Sequence, residues 1–201
     1  DAAEGQIWFN STDNTFKSIV SLDAWSSASS LLTARSTLGG FGARDASVMY
    51  GGTTNSTEEY NGSGFAAGGN LNTGRPNCQD NGWGVETAAV VASGYDGSNN
   101  TANVEEYNGS SFSEVNNVSS ARRQQASIGL VQTAGAICGG YTSTNVDSTE
   151  EYDGTNWTSG GSLNTSRRGF AGSGTLTAGI VFGGYTSTKV ANTEEYDGTS
   201  W

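Results

Sequence analysis

The sequence predicts an all-β protein assembled from copies of one small sheet, on the basis of three observations. Apolar residues fall in short runs that favour strands, such as residues 88–91 and 180–182, and glycine soon follows each run. The chain has 30 Gly and one Pro among 201 residues, which is typical of many tight turns. One nine-residue segment also recurs along the chain, which indicates a repeat protein.

The repeated segment reads Thr-Glu-Glu-Tyr, then a turn, then an aromatic residue. Residues 149–157 and 193–201 match almost residue for residue, and residues 57–65 and 104–112 are looser copies. Successive tyrosines are 47, 45 and 44 residues apart, so the period lies in the mid-forties. The tyrosines are Tyr60, Tyr107, Tyr152 and Tyr196, and the aromatic residues five positions later are Phe65, Phe112, Trp157 and Trp201.

Two further strand-sized pieces accompany the repeated segment. An apolar piece ending in glycine precedes it, and a polar piece ending in arginine follows the first three copies. The glycine pairs are Gly51-Gly52, Gly139-Gly140 and Gly183-Gly184, with Ala92-Ser93-Gly94 as a degenerate version in the second copy. We expect these glycines to supply positive φ angles. One unit therefore holds four strands, labelled a to d from the inside out. Strand a follows the arginine, the apolar piece is strand b, the Glu-Tyr piece is strand c, and the later aromatic residue opens strand d.

A four-stranded sheet of this size cannot bury both faces alone, so we expect the units to stack around an axis as the blades of a β-propeller. The tyrosine of strand c and the aromatic residue that opens strand d would fill the gap between blades. Trp25 opens a similar strand d with no blade before it, whereas the chain reaches Trp201 just after the last strand c. We expect this N-terminal outer strand to complete the last blade and close a four-bladed ring. A larger ring is the alternative.

These motifs resemble Kelch repeats, in which an apolar strand ending in a double glycine precedes a Glu-Tyr strand and a further aromatic residue. The resemblance covers about residues 25–201 and implies a Kelch-like β-propeller with four antiparallel strands in each blade. The period is shorter than the roughly 50 residues of that family. The gap between tyrosine and aromatic residue is shorter too, and Phe replaces Trp in the first two copies. The sequence therefore resembles a compact variant.

Residues 1–24 lie outside the repeat and form a predicted attachment segment ahead of the propeller domain at 25–201. Residues 5–20 alternate as two strands around a Ser-Thr-Asp-Asn turn, which predicts a β-hairpin. This hairpin resembles segments of bacteriophage tail fibres that come just before a receptor-binding or decorative domain. The repeats are similar to arrays encoded by environmental phages. These resemblances imply that the segment contacts other virion structural proteins.

The charge of the chain disfavours two classes of partner. Twenty acidic and nine basic residues give a net charge of −11, which repels nucleic acid and anionic membrane surfaces. No stretch approaches the roughly 18 consecutive apolar residues of a membrane span, so we expect no membrane insertion. Oligomerisation is left open. Cys78 and Cys138 occupy non-equivalent repeat positions, and we expect free, buried thiols.

The residues predict no catalytic site, no metal site and no cofactor. The chain lacks histidine, which excludes His-dependent catalysis and His-ligated metals. Paired glutamates recur in every copy, so we expect one of each pair to meet an arginine such as Arg122 or Arg167 and the other to be solvated. The pairs are 58–59, 105–106, 150–151 and 194–195. Asp153-Gly154 and Asp197-Gly198 offer too few oxygen ligands for calcium, so we expect them in turns.

Candidate ligand-binding residues lie in the loops between strands b and c. A tyrosine opens this loop in the last three copies, and Thr53 takes its place in the first. Aromatic faces beside short polar side chains suit sugars, which are bound by stacking and hydrogen bonds. The alternative is that these loops only cap the repeats. The predicted site consists of Tyr95, Tyr141, Thr142, Asn145, Tyr185, Thr186 and Lys189.

The function predicted from these features is a non-enzymatic binding module on the exterior of a virion. It would belong to a tail fibre or decoration protein and recognise a host-surface receptor or glycan. One alternative is a structural subunit that makes only protein–protein contacts, and another is a secreted, extracellular adhesin. A polysaccharide-degrading enzyme is a further alternative that the missing catalytic motifs disfavour.

Overall fold

The structure is a computed structural model that describes residues 7–12, 14–18, 27–52, 54–78 and 81–201. These residues form strands connected by turns, with no helix among them. β1 (Ile7–Asn10) and β2 (Thr15–Ser18) pair in antiparallel register, from Ile7 with Ser18 to Asn10 with Thr15. The hairpin predicted for the N-terminal segment is therefore confirmed.

The other strands form four antiparallel sheets in which each strand pairs with the next along the chain. Blade 1 contains β3 (Leu38–Ala43), β4 (Ala46–Gly51), β5 (Thr57–Tyr60) and β6 (Phe65–Ala67). Blade 2 contains β7 (Gly82–Val85), β8 (Ala88–Tyr95), β9 (Asn100–Tyr107) and β10 (Phe112–Val115). Blade 3 contains β11 (Ala126–Val131), β12 (Ala134–Cys138), β13 (Thr149–Tyr152) and β14 (Trp157–Ser159). Blade 4 contains β15 (Ala171–Thr175), β16 (Ala178–Phe182) and β17 (Thr193–Tyr196).

The first strand of every blade lies at a common centre. Glycine-rich parts of β3, β7, β11 and β15 together line one cavity of about 220 Å³. β3 packs against β7, β7 against β11, and β11 against β15. Four sheets therefore radiate from one axis, and the chain is a four-bladed β-propeller, as the repeat predicted.

Apolar cores lie between the blades, because a single sheet has no second layer of its own. The described residues contain three such clusters, one at each junction between consecutive blades. The first joins Phe41 of blade 1 to Tyr107 and Phe112 of blade 2. Tyr107, Tyr152 and Tyr196 are at most 2% exposed, which confirms the expected role of these tyrosines at the three junctions.

The junction between blades 2 and 3 shows why strand a needs both large and small residues. Trp83 of β7 packs on Tyr152 and Trp157, with ring centroids 6.4 and 6.1 Å away. A Cβ added to Gly129 or Gly135 would lie 2.5 or 2.2 Å from the Trp83 indole. The indole therefore fits only because blade 3 presents bare backbone at these two positions.

The expected positive φ angles after strand b are confirmed. In blade 1, Gly51 and Gly52 have φ angles of 69° and 92°. Ser93 takes the place of the first glycine in blade 2 and adopts the same left-handed conformation, with φ 61°. The Ser93 hydroxyl has its one proton within reach of two carbonyl oxygens, Thr101 at 2.8 Å and Arg122 at 2.7 Å, and it accepts a 3.1 Å bond from the Arg122 N–H. This hydrogen bonding offsets part of the strain that a side chain creates here.

A buried ion pair ties each blade to the connector that enters it. The arginine that ends the connector contacts the first glutamate of strand c, at distances between 2.6 and 2.9 Å. Backbone N–H groups of the same connector also donate to this glutamate, as in the bonds from Asn72 and Thr73 to Glu105. The charges are thus paired and hydrogen-bonded, which is the condition for burying them. The pairs are Arg35–Glu58, Arg75–Glu105, Arg122–Glu150 and Arg167–Glu194.

The second glutamate of each pair was expected to be solvated, and in three blades this expectation is wrong. Glu59, Glu106 and Glu151 are half-buried, and each accepts a hydrogen bond from the strand-c tyrosine hydroxyl of the next blade. Burial and this hydrogen bond raise the pKa of Tyr196 to about 12. Consecutive blades are therefore joined by a hydroxyl–carboxylate bond as well as by an apolar core.

The flank where blade 4 meets blade 1 differs from these junctions. The predicted closing strand with Trp25 lies outside the described residues, apart from its end at Ser27. Residues 27–35 enter blade 1 as the other connectors enter their blades, since the N–H groups of Leu32 and Thr33 donate to Glu58. Trp201 packs on Tyr196, with a ring distance of 4.7 Å that matches the 4.9 Å between Trp157 and Tyr152. Trp201 therefore lies against Tyr196 in blade 4 as Trp157 lies against Tyr152 in blade 3.

Candidate ligand-binding face

The loops between strands b and c lie at the same end of the propeller as the connectors between blades. In blades 3 and 4 these loops are tight turns, closed by backbone bridges from Tyr141 to Asn145 and from Tyr185 to Lys189. Each tyrosine also pairs through its backbone with the connector, Tyr141 with Arg123 and Tyr185 with Arg168. The backbone therefore fixes the tyrosines and these two arginines side by side.

Tyrosine and arginine side chains alternate across this face, and we call this arrangement the tyrosine–arginine ladder. The Arg123 guanidinium lies 4.8 Å from the centre of the Tyr95 ring and 5.2 Å from that of Tyr141. The Arg168 guanidinium lies 4.7 Å from the Tyr141 ring and 4.8 Å from the Tyr185 ring. Each contact is a cation–π interaction. The ladder consists of Tyr95, Arg123, Tyr141, Arg168 and Tyr185.

The ladder borders an open cavity of about 440 Å³. Two tyrosines and both arginines of the ladder line this cavity together with Asn77 and Gln124. Its volume falls within the range of small-molecule sites, roughly 300–1,000 Å³. Its lining is mostly polar, so a ligand here would meet hydrogen-bonding groups as well as two aromatic rings.

Three of the predicted ligand-binding residues serve the loops themselves, and a fourth, Lys189, does not line the cavity. The Asn145 amide donates to the carbonyl groups of Tyr185 and Thr186 and accepts a 2.7 Å hydrogen bond from Arg168. Thr142 and Thr186 close their turns through backbone bonds to Thr144 and Thr188. Lys189 is exposed in the loop of blade 4. Among the predicted residues, the structure therefore brings Tyr95 and Tyr141 to the cavity and Tyr185 to the end of the ladder.

Arg123, Arg168, Gln124 and Asn77 were missed by the reasoning from sequence. A signal for the arginines exists, because an arginine doublet stands at 122–123 and at 167–168 where the other connectors have Arg75-Pro76 and Arg35-Ser36. The first arginine of each doublet belongs to the buried ion pair, and the second lies on the face. Thr53, which replaces tyrosine in the first blade, lies outside the described residues.

The electrostatics of the face differ from those of the whole chain. Arg123 and Arg168 form no ion pair with any described carboxylate. The acidic residue nearest to the ladder in sequence is Asp96, which follows Tyr95 and accepts hydrogen bonds from the N–H groups of Ser98 and Asn99. These backbone bonds lower the pKa of Asp96 below its usual value. Among the described residues, the face therefore presents two arginines without an ion-pair partner, near the ionised carboxylate of Asp96, on a strongly acidic protein.

Other candidate sites are accounted for by structure. Asp153 and Asp197 accept backbone hydrogen bonds within the turns between strands c and d, as expected for turn residues. Cys78 and Cys138 are buried thiols, as expected, and burial raises the pKa of the Cys78 thiol. No cluster of potential metal ligands occurs among the described residues, nor any helix that could cross a membrane.

Comparison with known proteins adds no relative from which a function could be carried over. No protein-family model matches the chain, and no curated protein matches it significantly.

Proposed function

We propose that this propeller is a non-enzymatic binding module that recognises a glycan through the tyrosine–arginine ladder. The observation that carries the proposal is the open cavity whose wall contains Tyr95, Tyr141 and two arginines that form no ion pair with a described carboxylate. Aromatic faces stack on the apolar faces of sugar rings, while arginine and amide groups hydrogen-bond to hydroxyls. Stacking on arginine holds the rings in place, so little side-chain freedom is lost on binding.

The proposed setting is the exterior of a virion, where a Kelch-like propeller of a tail fibre or decoration protein would contact a host-surface receptor or glycan. The hairpin of β1 and β2 would attach it to other virion proteins. The support for this setting is the resemblance of the repeats and of the N-terminal segment to such proteins. A secreted adhesin would use the same face in the same way.

We propose that the module is not an enzyme, and the contacts of the paired glutamates support this. A glycosidase needs two carboxyl groups free to act on a glycosidic bond. Here the first glutamate of each pair is held by a buried arginine, and the second accepts a tyrosine hydroxyl in three of the four blades. These carboxylates are committed to holding the blades.

A glycan array probed with the full chain tests the proposal. We expect binding to a subset of glycans, and we expect Tyr141→Ala to weaken it at least about tenfold because this ring is central to the ladder. Phe182→Ala is the matched control, since Phe182 is a 45% exposed aromatic residue on the flank of blade 4. Shortened glycan products would contradict the non-enzymatic assignment. Binding unchanged in Tyr141→Ala would contradict the site.

A second candidate function is architectural, and the opposite end of the propeller favours it. Val85, Leu130 and Val131 lie at the turns between strands a and b and are 48%, 58% and 54% exposed. Val85 and Leu130 also line a cavity of about 420 Å³ with Ala43 and Ala46. Grouped exposed apolar residues are typical of protein–protein contacts. If this face mediates self-association, Leu130→Glu will convert an oligomer to a monomer in light scattering, and a wild-type monomer would contradict the idea.

A further inference from the structure

We infer that the ligand of the tyrosine–arginine ladder is an acidic saccharide, whose carboxylate binds Arg123 and Arg168 in the 440 Å³ cavity. This inference rests on the proposed function and adds the chemical class of the ligand. Its experiment separates the two, because a neutral glycan would satisfy the first and contradict the second.

The basic residues differ in whether they have an acidic partner. Of the nine basic residues, four are buried against glutamates and therefore neutralised within the fold. Arg44 lies beside Asp45 at 3.9 Å, with its side chain 95% exposed. Arg123 and Arg168 line one cavity without a described carboxylate partner. An anionic group from outside would complete their pairing.

Arg123 and Arg168 are held in a geometry that leaves N–H groups available to a ligand. Each guanidinium lies between two tyrosine rings, at centroid distances from 4.7 to 5.2 Å. Stacking uses the face of a guanidinium and leaves its N–H edge available for in-plane hydrogen bonds. The Asn145 bond fixes Arg168 further. A planar carboxylate accepts two parallel N–H bonds from such an edge, which gives both strength and orientation.

The charge of the rest of the chain favours a sugar with isolated carboxylates over a polyphosphate. A net charge of −11 repels an extended polyanion such as nucleic acid along its whole length. A uronic or other acidic sugar has one charge on a small ring, and the ladder supplies aromatic faces for the uncharged remainder. The polar lining and modest volume of the cavity suit one or two such rings.

Gln124 supports a binding role for this cavity. It lines the cavity and adopts φ 56°, a left-handed conformation that is unfavourable for a residue with a side chain. The equivalent position in the connector to blade 4 is Gly169, with φ 61°. Thr37, at the equivalent position in the connector to blade 1, also adopts this conformation, with φ 54°. Glycine meets the backbone requirement without strain, whereas glutamine at this position adds a hydrogen-bonding amide to the cavity.

The experiment compares matched oligosaccharides by isothermal titration calorimetry on the full chain. Oligomers of glucuronic acid, of sulfated glucose and of glucose serve as carboxylated, sulfated and neutral probes, and a single-stranded oligonucleotide serves as a polyphosphate probe. We expect the carboxylated probe to bind at least about tenfold more tightly than the neutral one and to weaken with added salt. Equal binding of acidic and neutral probes would overturn the inference but not the proposed function, and failure of every saccharide would overturn both. Preference for the sulfated probe or for the oligonucleotide would also overturn the inference.

Variants sharpen the assignment. Arg123→Gln and Arg168→Gln should each abolish the preference for the carboxylated probe, whereas Arg44→Gln makes the same change of net charge at the opposite end and should preserve it. Arg123→Lys keeps the charge but loses the planar fork, so we expect partial retention. Gln124→Gly should weaken binding without lowering the melting temperature, because it removes strain along with the amide. If Arg123→Gln and Arg168→Gln both keep the wild-type preference for the carboxylated probe, the site is contradicted.

Discussion

The three junctions between consecutive blades and the flank between blade 4 and blade 1 use the same repeat in different surroundings. Residues 149–152 and 193–196 are both Thr-Glu-Glu-Tyr, yet Thr149 is buried whereas Thr193 and Glu195 are exposed. Phe182 of blade 4 is 45% exposed, whereas its counterpart Cys138 is fully buried. The burial of a strand is thus set by the next blade and not by its own sequence.

The two regions also differ in the residue that strand a sends toward the next blade. Phe41, Trp83 and Ile128 fill the three consecutive junctions. The residue in the same register of blade 4 is Ser173, which is exposed. The ion pair of the connector, by contrast, is as complete for Arg35 as for the other arginines. Polar anchoring therefore repeats in all four blades, while apolar packing follows the contacts between consecutive blades.

The largest expected effect comes from Trp83, which fills the junction between blades 2 and 3. Trp83→Ala should lower the free energy of unfolding by about 3–5 kcal/mol, because it removes a buried indole and leaves a cavity against two glycines. Ser173→Ala, at the equivalent exposed position, should change it by less than about 0.5 kcal/mol. Urea denaturation followed by tryptophan fluorescence or circular dichroism measures both. Similar losses in the two variants would show that the flank of blade 4 is as tightly packed as the junctions.

A smaller effect is expected from the hydroxyl–carboxylate bonds. Tyr152→Phe removes the 2.9 Å bond to Glu106, and we expect a loss of about 1–2 kcal/mol in the free energy of unfolding. Tyr60→Phe is the matched control, because among the described residues the Tyr60 hydroxyl has no such bond to Glu195. A loss in Tyr60→Phe as large as that in Tyr152→Phe would indicate an equivalent bond across the flank.

A third effect appears only at alkaline pH. The pKa of Tyr196 is raised to about 12 from its usual value of 10.0, because burial and the bond to Glu151 disfavour the phenolate. A raised pKa stabilises the fold below pH 10, and this contribution is lost as the pH rises from 10 towards 12. The urea midpoint of Tyr196→Phe should therefore fall less steeply over this window than that of the wild type. A slope as steep in Tyr196→Phe as in the wild type would contradict the assignment.

The architecture was predictable because the repeat carries its signals in local residue types. Tyrosines, glycine pairs and the aromatic residues of strand d recur at fixed spacing, and each has one physical role in every blade. The pairing of arginine with one glutamate of each pair was predictable too, because neighbouring side chains of a strand point to opposite faces. The half-burial of Glu59, Glu106 and Glu151 was not, since it depends on a hydroxyl some 45 residues later in the chain.

The candidate site was predicted in part. The tyrosines were identified because aromatic residues in polar loops are conspicuous, but their stacking on Arg123 and Arg168 arises where a loop meets a connector distant in sequence. Asn145 looked available for a ligand, although its amide holds the loop of the next blade. Hydrogen bonds between loops of neighbouring blades leave no mark in the local sequence.

The placement of the ion pair determines where this chain can be divided. Each arginine stands ten residues after the aromatic residue of one blade, as from Phe112 to Arg122, yet it neutralises a glutamate of the blade that follows. An engineer who transplants or multiplies blades should therefore cut within the outer strand and carry the connector forward with the next sheet. A module cut after the arginine would receive a desolvated carboxylate with no counterion.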